Sequence, residues 1–374
     1  MCTLLRESMH APPALEKWIA LMGRRDEPTD GVEDYCRFLS DALAERGIRL
    51  QAARVSWGAH GWLRALWKLR QESKQWCGHC VLLQYTGMAW SRRGFPLGAL
   101  IVARILKSHG VRAAVVFHEF SRQHSSPGLI YRLRGALQAA TIRRLYRESC
   151  KAIFTVPLES VSWLPADDSK SHFIPIGANV PARLAPRTLS SAPQPKTVVV
   201  FGVTGSPNMV PEVEVISDVM RSAAESVRDL RLVLCGRGSL DAEKLLAPSL
   251  RNHGVEVIAK GILSASAIAD ELHSADAYLF VRGPISLQRG SALAGIACGV
   301  PIVGYRNGKV MRPLDEAGVE WAPLGDRRAL GRNLRAVLCD EQKWADLHQR
   351  NLHLQRTYFG WARIADEYLK AFSQ

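Results

Sequence analysis

The chain has 374 residues, 47% hydrophobic and 22% charged, with a formal net charge of +14 at pH 7. This composition is that of a globular protein, and the length favours two domains over one. No stretch of the sequence approaches the roughly eighteen apolar residues that span a bilayer, so a transmembrane protein is not expected. Residues 1–15 lack the apolar core of a secretion signal and are expected to be a loose extension. Eight cysteines without a framework spacing are typical of a reducing cytoplasm, the predicted location.

The positive charge is concentrated in the first half of the chain. Residues 1–183 hold 26 Lys and Arg against 15 Asp and Glu, whereas residues 184–374 hold 23 against 20. A basic half predicts an anionic surface or substrate, and anionic lipid, nucleic acid or a phosphorylated acceptor would each fit. No nucleic-acid reader motif is recognisable, so no nucleic-acid partner is expected.

The first half alternates apolar strand runs with amphipathic helices. We predict strands at 17–22, 49–55, 81–85, 113–117, 152–156 and 172–174. A helix over 32–44 is expected to end at Gly47, since glycine is a common C-terminal stop. This alternation is typical of a parallel sheet with right-handed crossovers.

The string Trp-Cys-Gly-His-Cys at residues 76–80 has the form of a disulfide-isomerase active site. Such a dithiol is activated at a helix N-terminus, whose dipole stabilises the thiolate. Here an amphipathic helix over 62–70 precedes the string and the 81–85 strand follows it. Cys77 and Cys80 are therefore expected in a helix-to-strand turn without redox function. No second Cys pair completes a zinc site, and no metal site is predicted.

Aromatic and basic residues interleave near this turn, and two interpretations stay open. Aromatics and cations on one helix suit a lipid-headgroup interface, which makes peripheral contact with an anionic membrane one alternative. The other interpretation is that the tryptophans are buried and pack the helix on the sheet, which is the commoner arrangement. A basic run at residues 143–151 favours peripheral attachment. The residues concerned are Trp57, Trp62, Trp67, Trp76, Arg64, Lys68, Arg70 and Lys74.

Five prolines between residues 174 and 196 interrupt the pattern, and we place an interdomain linker at 184–196. Strands follow at 197–201, 231–235, 255–259, 277–281 and 301–305, with helices at 213–225, 242–251, 266–274, 291–298, 327–338 and 361–372. The predicted fold class is α/β, with two Rossmann-like doubly wound domains facing a cleft. The domains comprise residues 16–183 and 197–359, and ligands are expected at the strand carboxyl ends.

Loops rich in glycine and arginine follow several strands of the second half. Glycines let the backbone approach a ligand, and free N–H groups at a helix start favour anions. Arginine adds fixed charge and forked donors that suit phosphate. The donor-binding candidates are Gly202, Thr204, Gly205, Gly236, Arg237, Arg282, Arg289, Gly290 and Ser291.

The loop at Arg289–Ser291 carries the strongest signal. Between Ala277 and Leu314 there is no Asp or Glu, whereas five cations are present. Ser291 is expected to cap the following helix and to contact a phosphate oxygen. A diphosphate site is the favoured interpretation, and a plain turn with solvated arginines is the alternative.

Nearly the whole chain resembles the GT-B glycosyltransferases, in particular the retaining enzymes of bacterial glycosyltransferase family 4. The hinge and the strand ends of the second half carry the resemblance, together with the C-terminal helix over 361–372. The matching strings are IPIGANV, LCGRG, IAKGIL, ADAYLFV leading to ACGVPIV, LLQYTGMAWSRRGFPL, VVFHEF and TDGVEDYCRFLSDALAERG.

The resemblance implies transfer of a sugar from a nucleoside-diphosphate donor to an acceptor in polysaccharide, glycolipid or natural-product assembly. UDP, GDP and TDP donors all stay open, and no further cofactor is implied. It gives Gly31 a place facing the donor and His118 a place beside the transferred sugar. It also implies that residues 360–374 pack back on the first domain.

The chain departs from the family at two positions. The family usually carries two glutamates eight residues apart at the phosphate loop, and the alignment places Ser286 and Ala294 there. Their absence motivates an alternative function, a non-catalytic nucleotide-sugar-binding or scaffolding relative of the same fold. A sugar-nucleotide epimerase would call for several acid/base carboxylates around the sugar, which are not found.

Candidate catalytic groups end a strand of the first half. His118 and Glu119 follow the 113–117 strand, and an inverting reaction would need such a base for the acceptor proton. In a retaining reaction the resemblance implies that the leaving phosphate oxygen takes that proton. Arg92 and Arg93 are candidates for binding a phosphorylated or carboxylated acceptor, with solvated loop arginines as the alternative.

Overall fold

Two parallel six-stranded sheets with flanking helices make up the described part of the chain. The computed structural model describes residues 16–26, 30–119, 128–165, 168–189, 195–204 and 209–373. The strand orders are β2-β1-β3-β4-β5-β6 and β12-β11-β10-β7-β8-β9. In each sheet the order doubles back around a central strand, so the predicted doubly wound α/β class is confirmed.

The first sheet contains the strands that the alternating pattern predicts, with small shifts at their ends. Its strands are β1 (Glu16–Met22), β2 (Ile48–Arg54), β3 (Cys80–Tyr85), β4 (Arg112–Phe117), β5 (Ala152–Phe154) and β6 (Ser171–Phe173). The helices between them are α1 (Gly31–Ala44), α2 (Trp57–His60), α3 (Trp62–Glu72), α4 (Leu97–Ser108) and α5 (Leu129–Glu148).

The second sheet also contains the five predicted strands, together with one that was not predicted. Its strands are β7 (Lys196–Phe201), β8 (Leu230–Cys235), β9 (Val255–Ala259), β10 (Ala277–Pro284), β11 (Ile302–Arg306) and β12 (Val319–Pro323). The helices are α6 (Met209–Ala224), α7 (Ser239–Arg251), α8 (Ala265–Ser274), α9 (Gly290–Ala297), α10 (Arg327–Cys339), α11 (Glu341–Leu354) and α12 (Trp361–Ser373). The sequence patterns missed β12 and α11.

The chain divides into two compact units. The first unit comprises Met1–Arg25, Leu39–Val116 and Arg122–Cys150; the second unit comprises Asp26–Phe38, Phe117–Ser121 and Lys151–Gln374. The predicted domain limits at 183 and 197 stay a prediction, and residues 1–15 lie outside the described residues. Among the described helices, none has both the length and the hydrophobicity that crossing a bilayer requires.

The Trp-Cys-Gly-His-Cys string lies in the predicted turn. A short 3-10 helix over Ser73–Trp76 precedes it, and β3 begins at Cys80. Cys77 and Cys80 are both free thiols. The helix that would follow a reactive dithiol is replaced by a strand, so no helix dipole stabilises a thiolate here.

A buried histidine holds the start of the predicted linker in the second unit. The Nδ1 of His348 donates to the Gly299 carbonyl at 2.6 Å, while its Nε2 accepts the Arg187 amide at 3.0 Å. Burial lowers the pKa of His348, and the nearby Arg187 and His273 lower it further against the opposing Gly299 bond. Neutral His348 therefore matches both contacts.

Acid is expected to weaken the fold through this histidine. The unfolded chain protonates histidine near pH 6.5, while the folded pKa of His348 lies lower. The stability that neutral His348 contributes is therefore present above pH 6.5 and is lost as the pH falls towards the folded pKa. Denaturant midpoints measured from pH 7.5 to pH 5 should fall less steeply for His348→Gln than for the native chain. Equal slopes would contradict this expectation.

A glycine permits close approach of α11 to β12. A Cβ at Gly318 would lie 1.9 Å from the Leu347 carbonyl oxygen. Because this neighbour is backbone, Gly318→Ala is expected to destabilise the protein by about 3 kcal/mol. Gly308→Ala is a matched control, since its φ of +69° meets open space and only backbone strain of about 1–2 kcal/mol applies. Thermal unfolding of both variants measures the difference, and equal losses would refute the collision.

Candidate functional site

Most of the predicted site residues lie at strand carboxyl ends within the second unit. Gly202 and Thr204 follow β7, Gly236 and Arg237 follow β8, and Arg289–Ser291 open α9 beyond β10. His118 follows β4, and Gly31 is the first residue of α1. Gly205 lies outside the described residues.

Arg282 and Arg289, the arginine pair, form the positive part of the site. The Arg282 side chain lies over Gly202, where a Cβ would approach its Nη1 to 3.2 Å. The Arg282 Nε is buried and has no hydrogen-bond partner among the described residues. Desolvation by burial lowers the pKa of Arg289, and the nearby charge of Arg282 lowers it further. Two arginines therefore lie close together, and one of them has an unused donor.

The first amides of α9 lie beside this pair. The amides of Ala292 and Leu293 donate to the Arg289 carbonyl, whereas those of Gly290 and Ser291 donate to no described residue. The Tyr278 hydroxyl donates to the Ser291 carbonyl at 3.0 Å, which anchors the turn to β10. Free N–H groups at a helix start, next to two cations, favour an anion.

One expectation about Ser291 is wrong. The helix begins at Gly290 with Arg289 as its N-cap, and no side chain caps it. Ser291 is therefore the second residue of α9, not its cap. The physical reason is that Gly290 adopts helical geometry, which moves the helix start one residue earlier than the pattern predicted.

Glu212 is a site residue that the sequence patterns missed. Its carboxylate accepts both the Thr204 amide, at 2.7 Å, and the Thr204 hydroxyl. It also acts on Arg289, whose pKa it raises against the two lowering influences. Both hydrogen-bond donors of Thr204, the amide and the hydroxyl, are therefore satisfied within the protein. The signal was an acidic residue in the first turn of α6, whose start was predicted at Val213.

The loop after β8 supports the loop after β7. The Gly236 amide donates to the Gly261 carbonyl at 2.7 Å, and a Cβ there would lie 3.2 Å from the Phe201 ring. The Val203 amide donates to the Arg237 carbonyl at 3.0 Å. Gly236 thus has a packing role in the structure, while Arg237 is exposed.

Asn179, in the segment after β6, lies between two helix starts. A Cβ at Gly31 would lie 3.7 Å from its Nδ2, and a Cβ at Gly290 would lie 3.3 Å from its Oδ1. The first turns of α1 and α9 therefore approach the same amide side chain. Asn179 was missed because its polar side chain stands alone in a proline-rich segment.

Asp30 caps α1 and changes the electrostatics there. Its Oδ1 accepts the Val32 amide at 3.0 Å and the Glu33 amide at 3.3 Å. This carboxylate satisfies two of the orphan donors of the helix and sets a negative charge beside Gly31. The positive end of α1 is therefore partly neutralised, whereas that of α9 is not.

His118 packs among aromatic rings beside Asp30. Its ring meets Tyr35 edge-on at 5.0 Å between centroids, and Tyr35 in turn contacts Trp361. The Tyr35 hydroxyl lies 2.7 Å from that of Tyr368 in α12. Desolvation lowers the pKa of His118 to about 4, although Asp30 opposes the shift. The imidazole is therefore neutral at pH 7 and able to donate or accept a hydrogen bond.

Gln288, just before α9, is hydrogen-bonded to residues at the carboxyl end of β4. Its Nε2 donates to the His118 carbonyl and to the Thr155 hydroxyl, the latter at 3.2 Å. Thr155 donates in turn to the Phe117 carbonyl at 3.2 Å. These bonds tie Gln288, the residue before Arg289, to the residues at the carboxyl end of β4. No sequence signal distinguished Gln288 from a solvated loop residue.

The acceptor candidates fall in the first unit. Arg92 donates to the Gly58 carbonyl at 3.1 Å, and the Arg93 carbonyl accepts from Arg134 of α5. These two arginines therefore belong to a different unit from the donor candidates. Glu119 follows His118 in the second unit and is partly exposed.

Ser286 and Ala294, the positions aligned with the two glutamates, lie before and within α9. Ser286 precedes the α9 turn, where its carbonyl accepts the Arg289 amide at 3.0 Å. Ala294 lies inside α9 and is 1% exposed. Any carboxylate introduced at Ala294 would have to enter a packed core.

Comparison with solved structures identifies the architecture. Sucrose-phosphate synthase from Thermosynechococcus elongatus matches with a TM-score of 0.64 at 16% identity, over 96% of this chain and 98% of that one. HepE from Anabaena, in complex with UDP-glucose, matches with a TM-score of 0.62 at 14% identity, over 96% and 99%. A glycosyltransferase from Rickettsia africae matches with a TM-score of 0.64 at 11% identity, over 96% and 98%. The fold is GT-B.

This GT-B likeness covers 96% of the chain, but it is a likeness of fold. No family model matches the sequence, and no curated protein matches it. The resemblance to GT-B proteins is therefore confirmed, while membership of glycosyltransferase family 4 stays a prediction.

Proposed function

We propose that the protein is a glycosyltransferase that moves a sugar from a nucleoside-diphosphate donor to an acceptor in polysaccharide, glycolipid or natural-product assembly. The arginine pair beside the free α9 amides carries this proposal, because it is a cationic site with unused donors on a GT-B fold. The solved structure of HepE, with the same fold, holds UDP-glucose.

Leaving-group stabilisation is the chemistry that this site fits. As the bond between sugar and diphosphate breaks, negative charge develops on the phosphate oxygens. Preorganised N–H groups and cations stabilise that charge without having to reorient. In this proposal Arg289 and Arg282 bind the diphosphate, and the Gly290 and Ser291 amides donate to its terminal oxygens. Glu212 fixes the loop after β7 by accepting the Thr204 amide.

His118 is proposed to bind a hydroxyl of the transferred sugar as a neutral imidazole. A group with a pKa of about 4 is a weak base at neutral pH, so His118 suits hydrogen bonding better than proton abstraction. Two routes for the acceptor proton remain: the leaving phosphate oxygen, with retention, or Glu119, with inversion.

A non-catalytic nucleotide-sugar-binding protein is the second candidate, because Ser286 and Ala294 replace the family's two glutamates. Incubation with UDP-, GDP- and TDP-sugars distinguishes the candidates. Calorimetric binding together with sugar release or transfer supports the enzyme. Binding without turnover under any acceptor supports the second candidate, and no binding at all removes both.

A further inference from the structure

The first unit exposes apolar side chains in pairs on three neighbouring helices. Leu63 and Trp67 lie four residues apart on α3, Leu97 and Ile101 on α4, and Leu129 and Leu133 on α5. Leu63 is 89% exposed, Leu129 83% and Trp67 66%. Residues four apart share one helix face, so each helix presents an apolar pair to solvent. A surface cluster of this kind marks an interaction site.

The three helices form one layer, here called the α3–α5 layer. α3 packs against α4, and α4 packs against α5. Trp62 at the start of α3 contacts Gly98 of α4, and Gln138 of α5 donates to the Gly94 carbonyl just before α4. Each helix begins after the carboxyl end of a strand, so all three run in the same direction. The apolar pairs sit near the helix starts and lie together at one end of the layer.

Cations occupy the remainder of this layer. Its three helices contain ten Lys and Arg but only two carboxylates, Glu72 and Glu148. Both carboxylates already pair within their own helix, with Lys68 and Arg144. Nine of the ten cations are exposed. The layer therefore joins an apolar end to a strongly cationic outer face.

The structure also separates the tryptophans that the sequence grouped together. Trp57 is buried and stacks on Trp62 at 4.9 Å between ring centroids. This tryptophan therefore packs inside the protein, as the second interpretation of the sequence expected. Trp67 is exposed. The helix α5 ends in the predicted basic run at 143–151 and adds an exposed apolar cluster at its start, which the sequence patterns did not indicate. Its Tyr131 ring lies 4.8 Å below the Arg134 guanidinium.

We propose that the α3–α5 layer is a docking surface for an anionic lipid bilayer. The apolar pairs would enter the boundary between headgroups and acyl chains, while the surrounding arginines and lysines bind lipid phosphates. Charge complementarity selects this partner, because the layer offers an excess of unpaired cations and scarcely any carboxylate. The proposal concerns attachment and does not depend on sugar transfer.

Flotation of the purified full chain with vesicles tests the proposal. We expect recovery with vesicles of phosphatidylcholine and phosphatidylglycerol, and about tenfold less with phosphatidylcholine alone. The variant Leu129→Ser/Leu133→Ser should reduce recovery about tenfold, and Arg143→Glu/Arg147→Glu by at least as much. Leu240→Ser/Leu245→Ser is the matched control, since α7 exposes two leucines in the second unit, and it should float like the native chain.

Circular dichroism and thermal unfolding must show that each variant keeps its fold. Failure of the native protein to float with anionic vesicles would overturn the proposal, as would equal recovery with neutral ones. Unchanged flotation of both layer variants would also overturn it. Self-association that Leu129→Ser/Leu133→Ser abolishes, without vesicle binding, would assign the layer to a protein interface instead.

Discussion

Replacing Arg289 with Ala is expected to lower turnover with the nucleotide-sugar donor by about 10²–10³-fold. The reason is the loss of a fixed cation from the place where leaving-group charge develops. The effect should fall mainly on kcat, because that charge grows towards the transition state. Arg289→Lys restores the charge without the forked donors, so its turnover should lie between those of the Ala variant and the native enzyme. Steady-state kinetics with the donor that binds best measures all three.

Arg251→Ala provides the matched control for this prediction. Arg251 is an exposed arginine at the end of α7 in the same unit, and its removal changes the net charge equally. Its kinetics should match those of the native enzyme. If Arg289→Ala and Arg251→Ala gave the same turnover, the arginine pair would have no part in stabilising the leaving group.

Replacing His118 with Ala is expected to lower turnover by about 10²-fold, because a neutral hydrogen-bonding group beside the sugar is lost. His118→Asn retains a side chain that can both donate and accept, so partial recovery is expected. His172→Asn serves as the control, since this histidine of β6 lies in the same unit but outside the described contacts of the site. The three variants are compared at a saturating donor concentration.

The pH dependence separates this role from that of a general base. The pKa of His118 is lowered to about 4, so the imidazole stays neutral throughout the range from pH 6 to pH 8. The native profile of kcat should therefore show no inflection from His118 in that range. An inflection near pH 6.5 that disappears in His118→Asn would instead identify a histidine that titrates during turnover.

The alternation of strands and helices was readable from the sequence because buried parallel strands are short, continuous apolar runs. The predicted limits of the strand β10 and of the helix α1 differ from the observed ones by only a few residues. β12 was missed because its segment, Val-Glu-Trp-Ala-Pro, contains a charge and ends in a proline, which interrupt the continuous apolar run of a buried strand. α11 was missed because its apolar positions are diluted by charged and amide residues.

The site was predictable only where a single residue type carried the signal. Glycine and arginine after a strand indicated the arginine pair and the α9 turn. Asn179 and Gln288 carry no such signal, because their roles arise from partners far along the chain. Glu212 shows the same limit, since only the fold brings it to Thr204 and Arg289.

A crystal soaked with the nucleoside diphosphate that binds tightest is the most direct test of the central claim. The proposal predicts both phosphates within about 3.2 Å of the Arg289 guanidinium and of the Gly290 and Ser291 amides. A nucleotide bound elsewhere, or none bound at concentrations well above its dissociation constant in solution, would contradict it.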